Sequence, residues 1–327
     1  MADLGHKETD EFLKNLERKI KREYNKASKE IGAKTLNFME QFKKEDERKA
    51  ALVRAGKMTE AQYKKWRLSQ IAMSRRWEDM KETLSEDWYN ADKIARRMVR
   101  DGMLDVYAIN HNYAAYQIEH DTQMSTSFTL YNHEAVERLI RDNPKILPKP
   151  GKEIERKIAE GKAKRWSQKK LQSIMLQSIL QGDSIPNIAK RLTKVMGDMS
   201  EAAAIRNART MTTAAEAAGR IDAYKQANDM GVGMKQMWVA TLDGRTRHEH
   251  RLLDGQTVGV GKPFKVDGYE LKYPGDLSAP GYLIYNCRCT VVGVVKDSDL
   301  ERKGLKGMER KSKLGEMSYG EWKNAKR

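Results

Sequence analysis

The sequence predicts an α+β protein that is mainly α-helical, in which long N-terminal helices precede a C-terminal domain of helices and a small β-sheet. All seven prolines lie at or beyond Pro144, so residues 1–143 lack the strongest helix breaker. Apolar residues recur there every three or four positions, which is typical of helices. After Gly231 the apolar residues alternate with polar ones instead, and this alternation indicates strands.

The N-terminal region is predicted to be a series of helices separated by glycines. An apolar stripe predicts a first helix that ends at Gly32, and a second helix is expected to end near Gly56. A third begins after Thr59, whose hydroxyl suits an N-cap, and a fourth is expected to end at Gly102. The pattern over residues 105–120 is ambiguous, and we assign it to helix.

Changes in composition predict the domain organisation. Residues 1–143 are expected to form a charged helical arm for assembly. A proline-rich, basic linker follows over residues 144–165, where prolines favour extended chain. Residues 166–295 form the α+β domain, and residues 296–327 form a basic tail that is expected to be mobile.

The α+β domain is predicted to begin with helices and to end with strands. Its helices are expected to end near Gly182, Gly197 and Gly231. A strand follows over residues 234–242, and an Asp-Gly turn at residues 243–244 breaks it.

Two further strands and a final one complete the predicted sheet. The pair Asp267-Gly268 between two short apolar runs predicts a two-residue hairpin. The last strand is predicted over residues 282–296. On a strand Cys287 and Cys289 point to one face, with Arg288 on the other.

The charge of the chain predicts a polyanionic partner. Lys and Arg number 62 against 46 Asp and Glu, which gives a net charge of +16. Such a field favours nucleic acid first and anionic membrane surfaces second. The two cysteines are one residue apart, which rules out a disulfide framework and fits a reducing cytoplasm. We expect neither a signal peptide nor a membrane-spanning segment, since no run of about 18 apolar residues occurs.

Residues with chemical potential are concentrated in two segments, 241–255 and 273–290. In the first, Thr246-x-x-Glu249 is a capping-box pattern and predicts a short helix from about Arg247. On that helix His250 shares a face with the residue four positions later, Asp254.

Together these segments resemble the phage Mu F-like head morphogenesis family, which comprises minor head proteins of tailed bacteriophages. The resemblance covers about residues 165–295 and includes the Ala-Gly-Arg sequence at residues 218–220. One departure is Met211, where many relatives have an acidic residue. The matching residues are Trp238, Asp243, Arg245, Arg247, His250, Asp254, Gly255, Pro274, Asp276, Asn286, Cys287, Arg288 and Cys289.

The resemblance implies a structural virion protein that acts in head morphogenesis. Its implied partners are the portal protein, the major capsid or scaffolding protein, and double-stranded DNA contacted through phosphates. Its implied location is the capsid interior, and the host cytoplasm during assembly. The resemblance implies neither a cofactor nor an enzymatic activity.

A zinc site is one interpretation of the histidine and the two cysteines in these segments. His250, Cys287 and Cys289 are suitable ligands, and His248 or Asp254 would supply a fourth. Relatives with a Cys-x-x-Cys pair at this place would offer four thiolates, whereas Arg247 cannot ligate. In the competing interpretation the cysteines are small buried residues and the polar side chains form a network that fixes the fold.

An enzyme is the alternative for the function. It would be a DNA-processing or toxin-like enzyme centred on His250 and Cys287/Cys289, through a Cys-His nucleophile. A metal nuclease that uses Asp243, His250 and Asp254 is a variant of this hypothesis. A nucleic-acid-binding protein outside any virion is the third hypothesis.

Overall fold

The fold was analysed in a computed structural model. It describes residues 3–73, 75–142, 185–295 and 312–326, and a few positions between 169 and 183. The predicted linker over residues 144–165 lies outside the described residues.

The structure confirms the mainly helical α+β fold. The helices are α1 (Leu4–Arg54), α2 (Glu60–Met73), α3 (Arg75–Thr122), α4 (His133–Asp142), α5 (Ile185–Asp229), α6 (His248–Leu253), α7 (Gly281–Ile284) and α8 (Tyr319–Ala325), with a 3-10 helix at Ser312–Gly315. The strands are β1 (Met234–Val239), β2 (Thr257–Gly259), β3 (Phe264–Val266), β4 (Tyr269–Leu271) and β5 (Thr290–Val295). Among the described helices, none is apolar over a stretch long enough to span a lipid bilayer.

Several helices are longer than predicted, because Gly32, Gly102 and Gly197 lie inside α1, α3 and α5 rather than at helix ends. One glycine costs a helix only about 1 kcal/mol, which neighbouring contacts can offset. At Gly102 the absence of a side chain leaves room for the ring of Phe12, which lies 2.9 Å from where a Cβ would be. The predicted end at Gly56 is confirmed, because its φ of 69° is left-handed.

The chain forms two compact units that do not follow its linear order. The first unit combines Met1–Glu17, Met98–Gly151 and Arg206–Arg327, and the second combines Arg18–Arg97 with Lys152–Ile205. The helices α1, α3 and α5 each contribute residues to both units. The arm, linker and domain inferred from the sequence remain a prediction.

The second unit is helical and has an aromatic core with polar links at its edge. Tyr24 of α1 packs against Trp88 of α3 at 5.5 Å between ring centroids, and its hydroxyl donates to Asp92 at 3.0 Å. Lys34 and Asp87 form an ion pair at 2.7 Å between the same helices. The apolar stripe predicted on α1 is thus confirmed here. Its buried members in this unit are Ile20, Tyr24, Ala27 and Ile31.

The first unit packs a small sheet against the C-terminal half of α5. The strand order is β2-β1-β5, with β1 antiparallel to both neighbours. The predicted hairpin of β3 and β4 is confirmed, and Asp267 and Gly268 have φ values of 48° and 79°. Alanines of α5 allow the close approach of the sheet and of α3. They include Ala214, Ala217, Ala223 and Ala227.

Two predictions near the C-terminus are corrected. The last strand begins at Thr290, not at residue 282, because residues 281–284 form the short helix α7. The tail, predicted to be mobile, contains folded helices over residues 312–326. Trp322 of α8 is buried and donates to the equally buried Glu119 at 2.6 Å, so this helix is part of the first unit.

Substitution of Gly219 by alanine is expected to destabilise the protein by about 1–3 kcal/mol. A Cβ at this position of α5 would clash with the carbonyl oxygen of Tyr107 on α3, and backbone cannot yield easily. The matched control is Gly320→Ala in α8, where a Cβ meets nothing within 4 Å. Chemical unfolding should show a loss for the first variant and no loss for the second. Equal stabilities would contradict the close helix contact.

Candidate functional site

The two segments singled out in the sequence meet in the first unit around one cavity. The cavity has a volume of about 430 Å³. The loop after β1, the helix α6 and the loop between α7 and β5 form one side, and the N-terminal turns of α1 with α5 form the other. The residues that line it include His6, Asp10, Lys14, Glu17, Arg209, Thr213, Glu216, Thr241, Arg245, Thr246, Arg247, His250, Asn286, Cys287, Arg288 and Cys289.

The buried His250 faces both cysteines. Its Nε2 lies 2.7 Å from the carbonyl oxygen of Leu283, so this nitrogen carries a proton and donates. Its Nδ1 lies 3.2 Å from Sγ of Cys289 and 3.7 Å from Sγ of Cys287. The edge of the buried Trp238 ring packs against the imidazole at 5.6 Å. We call His250, Cys287 and Cys289 the Cys-His cluster.

The two thiols of the Cys-His cluster share a proton unequally. The hydrogen bond between them raises the pKa of Cys287, and burial adds to this increase. The same bond lowers the pKa of Cys289, although burial acts against it, and His250 and Trp238 lower it further. These directions make Cys289 the more acidic thiol of the pair.

Asp243 and Arg288 form a two-pronged ion pair on the rim of the cavity. The guanidinium donates to the two carboxylate oxygens at 2.6 and 2.7 Å. Arg288, with help from the backbone N–H of Arg245, lowers the pKa of Asp243 well below its usual range. The side chain of Arg245 is 82% exposed and lies 3.9 Å from Asp243. Arg288 thus makes a bidentate contact within the polar side chains around the cavity.

The predicted capping box is absent, although the predicted helix is present. Helix α6 starts at His248 without a side-chain cap. The hydroxyl of Thr246 instead donates to the carbonyl of Thr241, within the turn at residues 243–244. Arg247, whose guanidinium cannot ligate a metal ion, donates a hydrogen bond to the carbonyl of Tyr285. This bond ties the start of α6 to the loop that carries the cysteines.

Asp254 and Gly255 close the segment onto the first strand. The Asp254 carboxylate accepts from the backbone N–H of Ala240 at 2.8 Å, and Gly255 N donates to the carbonyl of Trp238 at 2.9 Å. Gly255 has a φ of 74°, which explains a glycine there. Asp254 is exposed, unlike His250, so the two do not act together.

The Pro-Gly-Asp sequence at residues 274–276 brings a loop against α5. Pro274 and Asp276 are buried. Asp276 accepts from the backbone of Lys272 at 2.9 Å and from Ser278 at 3.0 Å, which fixes the loop. Gly275 has a φ of 79°, and a Cβ there would lie 3.0 Å from the backbone of Ala214.

The prediction that the cysteines lie on a strand is wrong, because they lie in the loop before β5. Asn286 has a left-handed φ of 55° that reverses the chain, and its backbone N–H donates to Thr210 at 3.3 Å. Thr213 donates to the carbonyl of Cys287 at 2.7 Å. The loop is therefore fixed to α5, and both Sγ atoms still point inward while Arg288 points outward.

Neither His248 nor Asp254 joins the Cys-His cluster as a fourth metal ligand. In the part of the chain that the structure describes, the group of side chains close enough to share an ion consists of His250, Cys287 and Cys289, whose ligand atoms all lie within 4.8 Å of one another. Asp243 is also outside this group, so the acidic set of a metal nuclease is not assembled.

A buried ionic network next to the cavity was missed from the sequence. Arg220 of α5 donates to both oxygens of Asp3 at 2.7 and 2.8 Å and to Asn110 at 3.0 Å. Glu216, one turn earlier, lies 3.5 Å from Arg220 and accepts from His6 at 2.9 Å. We call this set the Arg220 network. It also includes Thr290, which donates to Glu216 at 2.6 Å. In the sequence, only the i, i+4 spacing of Glu216 and Arg220 could have indicated an ion pair in this network.

Comparisons with known proteins agree with the geometry of this domain. Residues 169–292 match the model of the family described as Phage Mu protein F like protein. The minor head protein GP7 of Bacillus phage SPP1 is 26% identical over 300 residues, which cover 89% of this chain and 87% of GP7. No solved structure matches the chain significantly.

Two bacterial proteins are similar over shorter stretches. The NAD(+)–arginine ADP-ribosyltransferase EFV of Enterococcus faecalis is 27% identical over 207 residues, which cover 63% of this chain. The chain spans only 40% of that protein. An uncharacterized protein of Haemophilus influenzae is 30% identical over 131 residues, which cover 40% of this chain and 26% of that protein.

The fold and the site define an α+β domain whose motif residues bond to one another and to the surrounding backbone. The match of residues 169–292 to the Phage Mu protein F like model confirms the resemblance inferred from the sequence. Over most of its length, the chain is a relative of a phage minor head protein.

Substitution of His6 by glutamine should destabilise the protein at pH 6 and have little effect near pH 10. The hydrogen bond to Glu216 raises the pKa of His6 to about 9 against the cost of burial; Asp10 adds to the increase and Arg220 opposes it. A folded-state pKa above the unfolded value stabilises fully below about pH 6.5, and this contribution is lost as pH rises through 9. We expect a difference of up to about 3 kcal/mol in the free energy of unfolding.

Urea unfolding of both proteins between pH 6 and pH 10 measures this difference. The control is His248→Gln, because His248 is exposed and lies outside the Arg220 network. A difference that stays constant across the range would mean that His6 contributes packing and no charge.

Proposed function

We propose that this protein is a structural minor head protein that acts in phage head morphogenesis. The observation that carries the proposal is the similarity to minor head protein GP7, which extends over 89% of this chain and 87% of GP7. A shared domain alone would not produce a match of that extent. The similarity therefore includes the N-terminal helices as well as the Mu F-like domain.

The site supports a binding role, because the motif residues are engaged within the protein. Asp243 is paired with Arg288, Arg247 with a carbonyl, and Asp276 with its own loop. Groups paired in this way hold the loops in one arrangement and are not free to act on a substrate. We propose that these paired side chains form a rigid polar network that gives the domain a fixed surface for assembly.

The proposed partners are the portal protein, the major capsid or scaffolding protein, and packaged double-stranded DNA. The net charge of +16 supports contacts to phosphates rather than to base edges. The proposed location is the capsid interior, after assembly in the host cytoplasm. Crosslinking mass spectrometry of purified heads identifies the partner directly.

Substitution of Arg288 by glutamine is expected to lower the melting temperature by a few degrees and to reduce incorporation into heads. The variant removes the two-pronged ion pair with Asp243. The matched control is Arg245→Gln, which makes the same charge change at an exposed side chain on the same rim. Quantitative mass spectrometry of sedimented heads measures the copies per particle. Normal incorporation of a destabilised Arg288→Gln protein would contradict the proposal that the polar network fixes the assembly surface.

Binding to double-stranded DNA is expected to be independent of sequence and to weaken at least about tenfold between 50 and 200 mM salt. The reason is that phosphate contacts release counterions. Fluorescence anisotropy with two unrelated duplexes of equal length measures both properties. Affinity that does not respond to salt would remove DNA from the proposed partners.

A second candidate function is a toxin-like or DNA-processing enzyme centred on the Cys-His cluster. The similarity to NAD(+)–arginine ADP-ribosyltransferase EFV favours it, as does a cysteine sulfur beside a histidine on a cavity wall. Release of nicotinamide from NAD, or cleavage of DNA, by the purified protein would support this candidate. Loss of that turnover in His250→Ala would locate the activity in the cluster.

A further inference from the structure

The Cys-His cluster has the composition of a transition-metal site. Two sulfur atoms and one imidazole nitrogen converge within 4.8 Å, and all three residues are buried. Zinc binds to thiolate sulfur and imidazole nitrogen in tetrahedral geometry. The elements that bring the donors together are α6, which carries His250, and the loop fixed to α5, which carries both cysteines.

The distances between the donor atoms fit one zinc ion. Bonds of about 2.3 Å to sulfur and about 2.0 Å to nitrogen give a nitrogen–sulfur edge of about 3.5 Å in a tetrahedron. The corresponding distances from Nδ1 of His250 are 3.2 Å to Cys289 and 3.7 Å to Cys287. Both nitrogen–sulfur distances are therefore within a few tenths of an ångström of that edge.

The surroundings orient the imidazole as they do in known metal sites. A ligating histidine usually donates its other N–H to a carbonyl or carboxylate, which fixes the tautomer. Here Nε2 of His250 donates to the carbonyl of Leu283 at 2.7 Å, so the lone pair of Nδ1 points to the sulfur atoms. The orientation therefore presents the nitrogen that a metal needs.

The sulfur side of the cluster also suits a metal-bound thiolate. The indole Nε1 of Trp238 is buried without a well-aligned hydrogen-bond partner. The Trp238 ring lies against the imidazole of His250 at 5.6 Å between centroids, so this N–H belongs to the immediate surroundings of the cluster. Hydrogen-bond donors around a metal-bound thiolate stabilise its charge.

We propose that His250, Cys287 and Cys289 bind one zinc ion, with the fourth coordination position facing the cavity. The ligand atoms are Nδ1 of His250 and the two Sγ atoms. All three residues line the cavity, so a water molecule from it completes the tetrahedron. Both cysteines bind as thiolates, so binding releases their thiol protons to solvent. The proposal is independent of the head-protein function, since the ion serves equally to hold α6 against the cysteine loop.

Metal analysis of the full-length protein, purified without chelator, is the first test. Elemental mass spectrometry should find about one zinc per chain. Chelator-stripped protein titrated with Co²⁺ should develop tetrahedral d–d bands and a sulfur-to-cobalt charge-transfer band that saturate at one equivalent, and Zn²⁺ should abolish them. Zn²⁺ should also raise the melting temperature of the stripped protein.

Variants locate the ion. Cys289→Ser should lose the charge-transfer intensity of one thiolate, and His250→Ala should bind Co²⁺ at least about tenfold more weakly. The control is His248→Ala, an exposed histidine two positions away, which should bind Co²⁺ like the wild type. If a variant fails to fold, the wild-type titration still decides. Folded wild-type protein that contains no zinc, gives only weak octahedral cobalt bands and melts alike with and without Zn²⁺ would overturn the proposal.

Discussion

The first unit depends on one buried guanidinium. Arg220 is fully buried, and a charge in that position is tolerated only when its donors are matched. Burial alone lowers the pKa of Arg220, but Glu216 and Asp3 more than offset this and keep it charged. Its partners come from the start of the chain, from α3, from α5 and from β5. Segments that are far apart in sequence are thereby held to a single arrangement.

The same helix that carries this guanidinium also positions the candidate site. Thr210 and Thr213 of α5 lie within two turns of Glu216, and they bond to the loop that contains the cysteines. The hydroxyl of Thr290, just after that loop, bonds to Glu216 itself. Because the loop is tied to α5 at three points, the Cys-His cluster has a defined geometry without lying on a strand.

The sequence predicted the elements whose signals are local. The hairpin at Asp267-Gly268, the helix end at Gly56 and the proximity of the two motif segments were all readable from residue type and spacing. The continuity of the helices through Gly102 was not, because the ring of Phe12 that occupies the space of the missing side chain is ninety positions away in sequence. The Arg220 network was missed for the same reason, since only its Glu216 partner lies nearby in the chain.

Local sequence patterns also gave wrong predictions where the same residues can adopt two different local conformations. Thr246 with Glu249 has the spacing of a capping box, but the hydroxyl serves the turn before the helix. Residues 282–289 are rich in strand formers, yet Gly281 and the left-handed Asn286 divide them into a short helix and a loop. In both cases a contact from another segment, Arg247 to the carbonyl of Tyr285, favours the observed conformation.

The Cys-His cluster can both stabilise the domain and bind a metal ion, because the two roles require the same geometry. A hydrogen-bonded triad of two thiols and an imidazole holds α6 to the cysteine loop only weakly, since thiols are poor donors and acceptors. The buried His250 nevertheless has one nitrogen satisfied by a carbonyl and the other directed at two sulfur atoms. An ion at their centre would replace weak hydrogen bonds by coordination bonds without moving the backbone. The surrounding bonds of Arg247, Thr213 and Arg288 would then preorganise the ligands, which is how a rigid fold strengthens metal binding.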